Sequence, residues 1–219
     1  MMGLPIKAVI FDLDGLVLDS ETTYISAWRQ AAAAMGYTLS EAFCRSLSGL
    51  HGVSVERQLQ QQCGGDFDVD RFKRLSGEYW SSQVRQHGIP VKKGFFALLN
   101  IIQQLNLPYC LGTNSRRREA MQCLELAGLP AVFSLIVARD DVPNGKPAPD
   151  IFIQAAEVLG MATGECLVLE DSPVGVAAAV AAGAPCIYVP SLYPLDDRAA
   201  ADAVAVMDDL EQVAGYLFK

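Results

Sequence analysis

From Gly94 onward the chain alternates short apolar runs with stretches of helical periodicity, a rhythm that few folds accept. The apolar runs fall at 108–111, 135–138, 166–169, 186–189 and, more weakly, 204–206. Helical patterns at 95–105, 116–127 and 150–159, and another at 174–182, lie between them. Alternating β and α of this kind predicts a parallel, doubly wound sheet with helices on both faces. One further run, 8–11, stands apart near the N-terminus. The segment separating it from its partners reads as four helices at 20–35, 40–47, 54–63 and 69–87. These are stopped by Gly36, Gly64-Gly65 and Gly88, and nothing among them resembles a buried strand. The expected architecture is α/β. A doubly wound parallel-sheet (Rossmann-like) core comprises residues 1–16 and 93–219, and residues 17–92 form an inserted α-helical cap domain over the sheet. Gly88-Ile89-Pro90 is the expected return hinge.

The 219 residues suffice for a full core, and 51% hydrophobic with 19% charged residues is the composition of an ordinary globular protein. With 25 acidic residues against 17 basic, the net charge of −8 repels polyanions, so neither nucleic acid nor an anionic membrane is an expected partner. A small anionic substrate remains compatible, because local donors or a bound cation overcome a global field. The six cysteines form no C-x-x-C pair and sit mostly in apolar segments, as reduced core residues do. The first apolar run is far too short for a signal peptide or a membrane span. A cytoplasmic monomer or weak homodimer is expected.

Ligands of open α/β sheets bind beyond the carboxyl ends of the strands, so the residues after each apolar run carry the functional reading. The first run ends in Asp12-Leu13-Asp14-Gly15, where i, i+2 spacing turns both carboxylates to one side. The second ends in Gly112-Thr113-Asn114-Ser115, the loop after the third carries Lys146, and the fourth ends in Glu170-Asp171-Ser172. These are the parts of a site that holds a divalent cation and transfers a phosphoryl group. Mg²⁺ prefers oxygen ligands and suits Asp12, Asp171 and a backbone carbonyl, with Glu170 binding directly or through water. A carboxylate can attack phosphorus to give an aspartyl-phosphate, and an acid two residues away can protonate the leaving oxygen and later deprotonate water. Thr113 and the backbone N–H groups of Asn114 and Ser115 offer donors to phosphoryl oxygens at a helix N-terminus, and Lys146 adds a fixed positive charge.

Four motifs in order, Phe11-Asp12-Leu13-Asp14-Gly15, Thr113-Asn114, Gly145-Lys146-Pro147-x-Pro149-Asp150 and Leu169-Glu170-Asp171-Ser172, resemble the phosphatase branch of the haloacid dehalogenase superfamily over nearly the whole chain. The helical block resembles the small cap of its β-phosphoglucomutase-like and sugar-phosphate phosphatase subgroup. The resemblance implies Asp12 as nucleophile, Asp14 as general acid/base whose carbonyl also binds Mg²⁺, Asp171 as a further metal ligand, and Thr113 and Lys146 on the phosphoryl group. It also implies that Gly49 and His51, in the loop Ser48-Gly49-Leu50-His51-Gly52, face the substrate. Dehalogenases of the superfamily lack an acid two residues after the nucleophile, so Asp14 points to phosphate esters. The mutases resemble a pattern with a cap histidine where this chain has Tyr24, and with an arginine and a lysine around the first cap loop that this chain lacks. The expected activity is therefore hydrolysis of a small phosphorylated metabolite, a sugar or polyol phosphate, by a Mg²⁺ enzyme. A sugar phosphomutase is the alternative, and a phospho-accepting switch module a more remote one.

Other conspicuous residues have structural readings. Asp19 and Ser20 suit a helix start, with Ser20 the N-cap, and His87 beside Gly88 suits a helix end. Arg116-Arg117-Arg118 reads as a solvated face, since cations at a helix N-terminus oppose its dipole. Tyr24, Trp28 and Trp80 read as packing residues that could line a pocket in the helical block.

Overall fold

Ala8–Phe11, four consecutive residues with no exposed surface, form β1, and hydrogen-bonded neighbours on both sides place it inside a sheet. The computed structural model describes residues 6–47, 52–191 and 194–217. Among these, β1 pairs in parallel with β2 (Tyr109–Gly112) and with β4 (Cys166–Glu170). With β3 (Ile136–Val137), β5 (Cys186–Tyr188) and β6 (Ala205–Val206) the sheet has six parallel strands in the order β3-β2-β1-β4-β5-β6. β2 starts one residue later than the apolar run because Pro108 has no N–H to give; its carbonyl still accepts from Val9 at 3.0 Å.

Two compact units divide the chain: Met1–Asp19 with Pro90–Lys219, which holds the sheet, and Ser20–Ile89. The second unit contains α1 (Ser20–Ala34), α2 (Glu41–Leu47), α3 (Gly52–Cys63) and α4 (Val69–His87). Its core gathers Ile25, Leu39, Leu59, Phe67 and Phe72. Asp68 caps α4 by accepting from the Arg71 amide at 2.9 Å, Gly88 ends it with φ +75°, and Trp80 donates its indole N–H to Thr23 at 3.0 Å. Ser20 is the first helical residue of α1, one position inside the expected cap.

In the sheet unit α5 (Phe95–Gln104), α6 (Arg117–Leu126), α7 (Asp150–Leu159), α8 (Pro173–Ala181), α9 (Asp197–Asp202) and α10 (Leu210–Leu217) surround the strands. Alternation along β1 sends Ala8 and Ile10 into one cluster with Phe152 and Ala155 of α7 and Val176 and Ala179 of α8. Cys110, Cys166 and Cys186 face the same cluster, and these small side chains together with alanine-rich α8 allow close packing. All six cysteines are free, and burial pushes the Cys110 and Cys123 thiols up to about 12. Phe11 takes the opposite face, its ring 5.9 Å from Phe95 and 5.6 Å from Phe133. α5 and α10 pack together there. No helix among the described residues is long and apolar enough to cross a membrane.

The junction of α5 and α10 depends on Gly94. Its φ of +86° disfavours any L side chain, and a Cβ there would collide with the backbone of Leu210 and Glu211. Gly128 has a similar φ of +73° but open space around it. Gly94→Ala should therefore destabilise the protein by more than Gly128→Ala, whose cost is the left-handed conformation alone, about 1–2 kcal/mol. Equal shifts of the denaturant midpoint would show that the α10 contact contributes nothing.

Candidate active site

The strand order reverses beside β1: β2 and β3 lie to one side, and the chain then returns to place β4 on the other. That switch point opens a crevice at the carboxyl ends, and Asp12 follows β1 directly into it. The Asp12 amide donates to Leu169 at 3.0 Å, extending the ladder by one bond, and the residue is 7% exposed.

Lys146 reaches the crevice from the loop before α7 and uses all three ammonium protons. Nζ donates to Asp12 Oδ1 at 2.6 Å, to the Gly112 carbonyl at 2.9 Å and to Glu170 Oε1 at 2.5 Å. The Phe152 ring lies beneath it, 4.7 Å from centroid to nitrogen. Asn114 holds the Lys146 backbone from both sides, Oδ1 accepting from its N–H at 2.8 Å and Nδ2 donating to its carbonyl at 3.2 Å. Asn114, whose backbone N–H is the expected phosphoryl donor, has its side-chain amide committed to the lysine loop.

Glu170 has no exposed surface. Its Oε1 receives Lys146, while Oε2 accepts from the amides of Asp171 and Ser172 at 3.0 and 3.1 Å and from Ser172 Oγ at 3.0 Å. Ser172 in turn caps α8 by accepting from the Gly175 amide at 3.1 Å. Gly175 must be glycine for this seat, because a Cβ would overlap the Glu170 carboxylate. Asp12, Glu170 and Asp171 bring ligand atoms within 4.8 Å of one another. Four donors on Glu170 also let it orient Lys146 and the start of α8.

Ser115 Oγ donates to Asp14 Oδ2 at 2.6 Å, and the Ser115 amide donates to Thr113 Oγ1 at 3.0 Å. Thr113, 1% exposed, therefore closes a turn within its own loop, and Ser115 grips the second acid of the Asp-x-Asp pair. Asp171, 5% exposed, accepts from Ser191 Oγ at 2.6 Å. Gly15, with φ +89°, leaves space for that carboxylate which any Cβ would fill.

Burial pushes the Asp12 carboxyl up to about 8, with Glu170 and Asp14 adding to the rise against the pull of Lys146. Burial also opposes the Lys146 charge, yet Asp12 and Glu170 outweigh it and hold the ammonium above the ordinary lysine range. The crevice thus gathers more carboxylates than its one ammonium neutralises, with little solvent to screen them. Oxygen donors with surplus negative charge fit a divalent cation, which would return Asp12 to its ionised form.

Gly49 and His51 fall outside the described residues. Arg117 pairs with Asp141 at 2.5 Å and donates to the Ile136 carbonyl at 2.6 Å, tying α6 to the β3 loop. Tyr24 stacks on Trp80 at 5.2 Å, and both, with Trp28, line a cavity of about 260 Å³ within the helical unit. Ser191 and Phe152 were not singled out by sequence. Ser191 sits just after the fifth apolar run, so the strand-end rule that found the other acids could have reached it.

Buried carboxylates and a lysine converging at a switch-point crevice define an enzyme of the doubly wound α/β class. Residues 9–189 match the family model of the haloacid dehalogenase-like hydrolases. Hexitol phosphatase A of Escherichia coli (strain K12) is 30% identical over 207 residues, 94% of this chain and 93% of that protein. A phosphorylated carbohydrates phosphatase of Thermotoga maritima is 31% identical over 182 residues, covering 83% and 84%. The crystal structure of a HAD family hydrolase from Deinococcus radiodurans R1 with bound phosphate and sodium superposes with a TM-score of 0.84 at 28% identity, covering 98% of this chain and 96% of that one. The chain belongs to the haloacid dehalogenase-like hydrolases.

Two outcomes follow from this electrostatic arrangement. Because Asp12 rises from about 3.8 to about 8 on folding, the folded state holds its proton more tightly, and the contribution is fully present below about pH 4 and lost as pH rises through 8. Without metal, Asp12→Asn should raise the unfolding midpoint at about pH 8 by at least roughly 2–4 °C, and by less at about pH 5.5. A difference independent of pH would contradict the assigned cause. Gly175→Ala should displace Glu170, lowering both stability and turnover; wild-type turnover in that variant would mean the Glu170 seat is dispensable.

Proposed function

We propose that this chain is a Mg²⁺-dependent phosphomonoester hydrolase acting on a sugar or polyol phosphate through an aspartyl-phosphate on Asp12. The observation that carries the reading is Asp12 itself, buried at the switch point with Lys146 Nζ on one oxygen and a second aspartate two residues on. The substrate class draws support from relatives whose names specify hexitol and phosphorylated carbohydrates.

An Asp12 carboxylate oxygen forms a bond to phosphorus as the bond to the ester oxygen breaks. Asp14 delivers a proton to that leaving oxygen. The alcohol departs, Asp14 removes a proton from water, and the water oxygen attacks phosphorus, releasing phosphate and restoring Asp12. Ser115 holds the Asp14 carboxylate in place for both transfers. Lys146 stays protonated throughout and offsets charge shared between Asp12 and the phosphoryl group. Asp12, Asp171 and the Asp14 main-chain carbonyl would hold Mg²⁺, which supplies further charge neutralisation to the phosphoryl oxygens when bound. Hydrolysis is favoured over phosphomutase activity because Tyr24 replaces the mutase-like histidine and these relatives carry phosphatase names.

Phosphate release from sugar, polyol and nucleotide monoesters should require Mg²⁺ and vanish with EDTA. Asp12→Asn should abolish it with the fold retained. Asp14→Asn should lower kcat by about 10²–10⁴-fold while metal still binds, since the carbonyl remains. An active Asp12→Asn protein would sink the covalent mechanism, and isomerisation without phosphate release would establish the mutase instead.

A further inference from the structure

We propose that Ser191 is a positioning residue that aims Asp171 at the cation site, so that its hydroxyl sets metal affinity; this rests on the metal-dependent reading above. β5 runs beside β4 with Tyr188 opposite Glu170, and the pairing continues past the strands, the Val189 amide donating to the Glu170 carbonyl at 2.7 Å. The buried Pro190 follows, and Ser191 arrives beside Asp171, its amide 3.4 Å from the Asp171 carbonyl. From there Ser191 Oγ donates to Asp171 Oδ2 at 2.6 Å, a short bond of the kind a hydroxyl makes to an ionised carboxylate.

The other wall around Oδ2 is the bare backbone of Gly15. A Cβ at Gly15 would strike the Asp171 carboxylate and come within 3.2 Å of Ser191 Oγ. Asp171 Oδ2 is thereby confined between a hydroxyl donor and a glycine, and with it the plane of the carboxylate is set. An aspartate has two side-chain torsions, and one whose carboxylate is not restrained must give up that freedom when a cation binds. The Ser191 bond imposes the restraint beforehand and stabilises the charged form that ligates a hard cation. None of the four motifs of the sequence includes Ser191.

The test compares four side chains at position 191 in the full-length protein, with Mn²⁺ binding followed by electron paramagnetic resonance of the free ion. Ser191→Ala and Ser191→Val remove the hydroxyl, whereas Ser191→Thr keeps it at nearly the volume of valine. The wild type and Ser191→Thr should bind Mn²⁺ about 10–100-fold more tightly than the alanine and valine proteins. In the alanine protein the Mg²⁺ concentration for half-maximal turnover should rise by a similar factor, with kcat at saturating Mg²⁺ changed far less. Equal Mn²⁺ affinity of the threonine and valine proteins, or wild-type affinity in the alanine protein, would overturn the assignment. Should the valine protein fail to fold, the alanine comparison alone decides. Absence of Mn²⁺ binding by the wild type would instead refute the metal-dependent reading itself, a failure distinguishable from that of Ser191.

Discussion

An ammonium group removed from water needs compensation inside the protein, and at Lys146 every proton has a partner: Asp12, Glu170 and the carbonyl of Gly112. Those three partners follow β1, end β4 and end β2, so a single side chain ties together the three central strands at the edge where the crevice opens. Loss of the Glu170 carboxylate would leave part of that charge uncompensated in low dielectric, a change costing about 3–5 kcal/mol in comparable buried pairs. The neighbouring features serve this contact: Asn114 fixes the lysine backbone, Phe152 supports the ammonium, and Gly175 makes room for Glu170.

The fold was legible where hydrophobic pattern and burial coincide. The runs around Ala8–Phe11, Cys166–Glu170 and Cys186–Tyr188 became strands because fully buried parallel strands need apolar residues on both faces. α9 and α10 escaped notice. α9 is six residues beginning Asp-Arg and ending in Asp, and α10 is eight, both too short for a helical period to stand out. Their stability comes from docking, as α10 does on α5, rather than from local propensity.

The site was legible to the level of residue type and strand end, and less so in the direction each side chain takes. Glu170, expected as a direct or water-mediated metal ligand, lies in one acidic group with Asp12 and Asp171, and its oxygens also accept from Lys146, Ser172 and two backbone amides. Asn114 and Ser115 are expected to offer backbone N–H groups to phosphoryl oxygens, and their side chains, on which the sequence is silent, serve Lys146 and Asp14. Lys146 lies 24 residues from Glu170 and 32 from Asn114, and Asp14 lies 101 from Ser115, so no local motif encodes those bonds. Hydroxyls are the common thread, since Ser115 and Ser191 each donate to one of the acids from a loop after a different strand.

The position of β1 bears on how the enzyme comes into being during synthesis. The strand that leads to Asp12 is made before both of its partners, and one of these, Cys166–Glu170, follows it by 158 residues, Ala8 lying opposite Cys166. As the chain emerges, β1 can pair with Tyr109–Gly112 but retains an unpaired edge until β4 appears, and such edges invite wrong partners. Contacts so distant in sequence also slow folding, because the loop must close before its contacts can stabilise it. The crevice is therefore among the last parts of the sheet to be completed, and a nascent chain truncated before Cys166 carries the Asp-x-Asp pair with neither Glu170 nor Asp171 beside it.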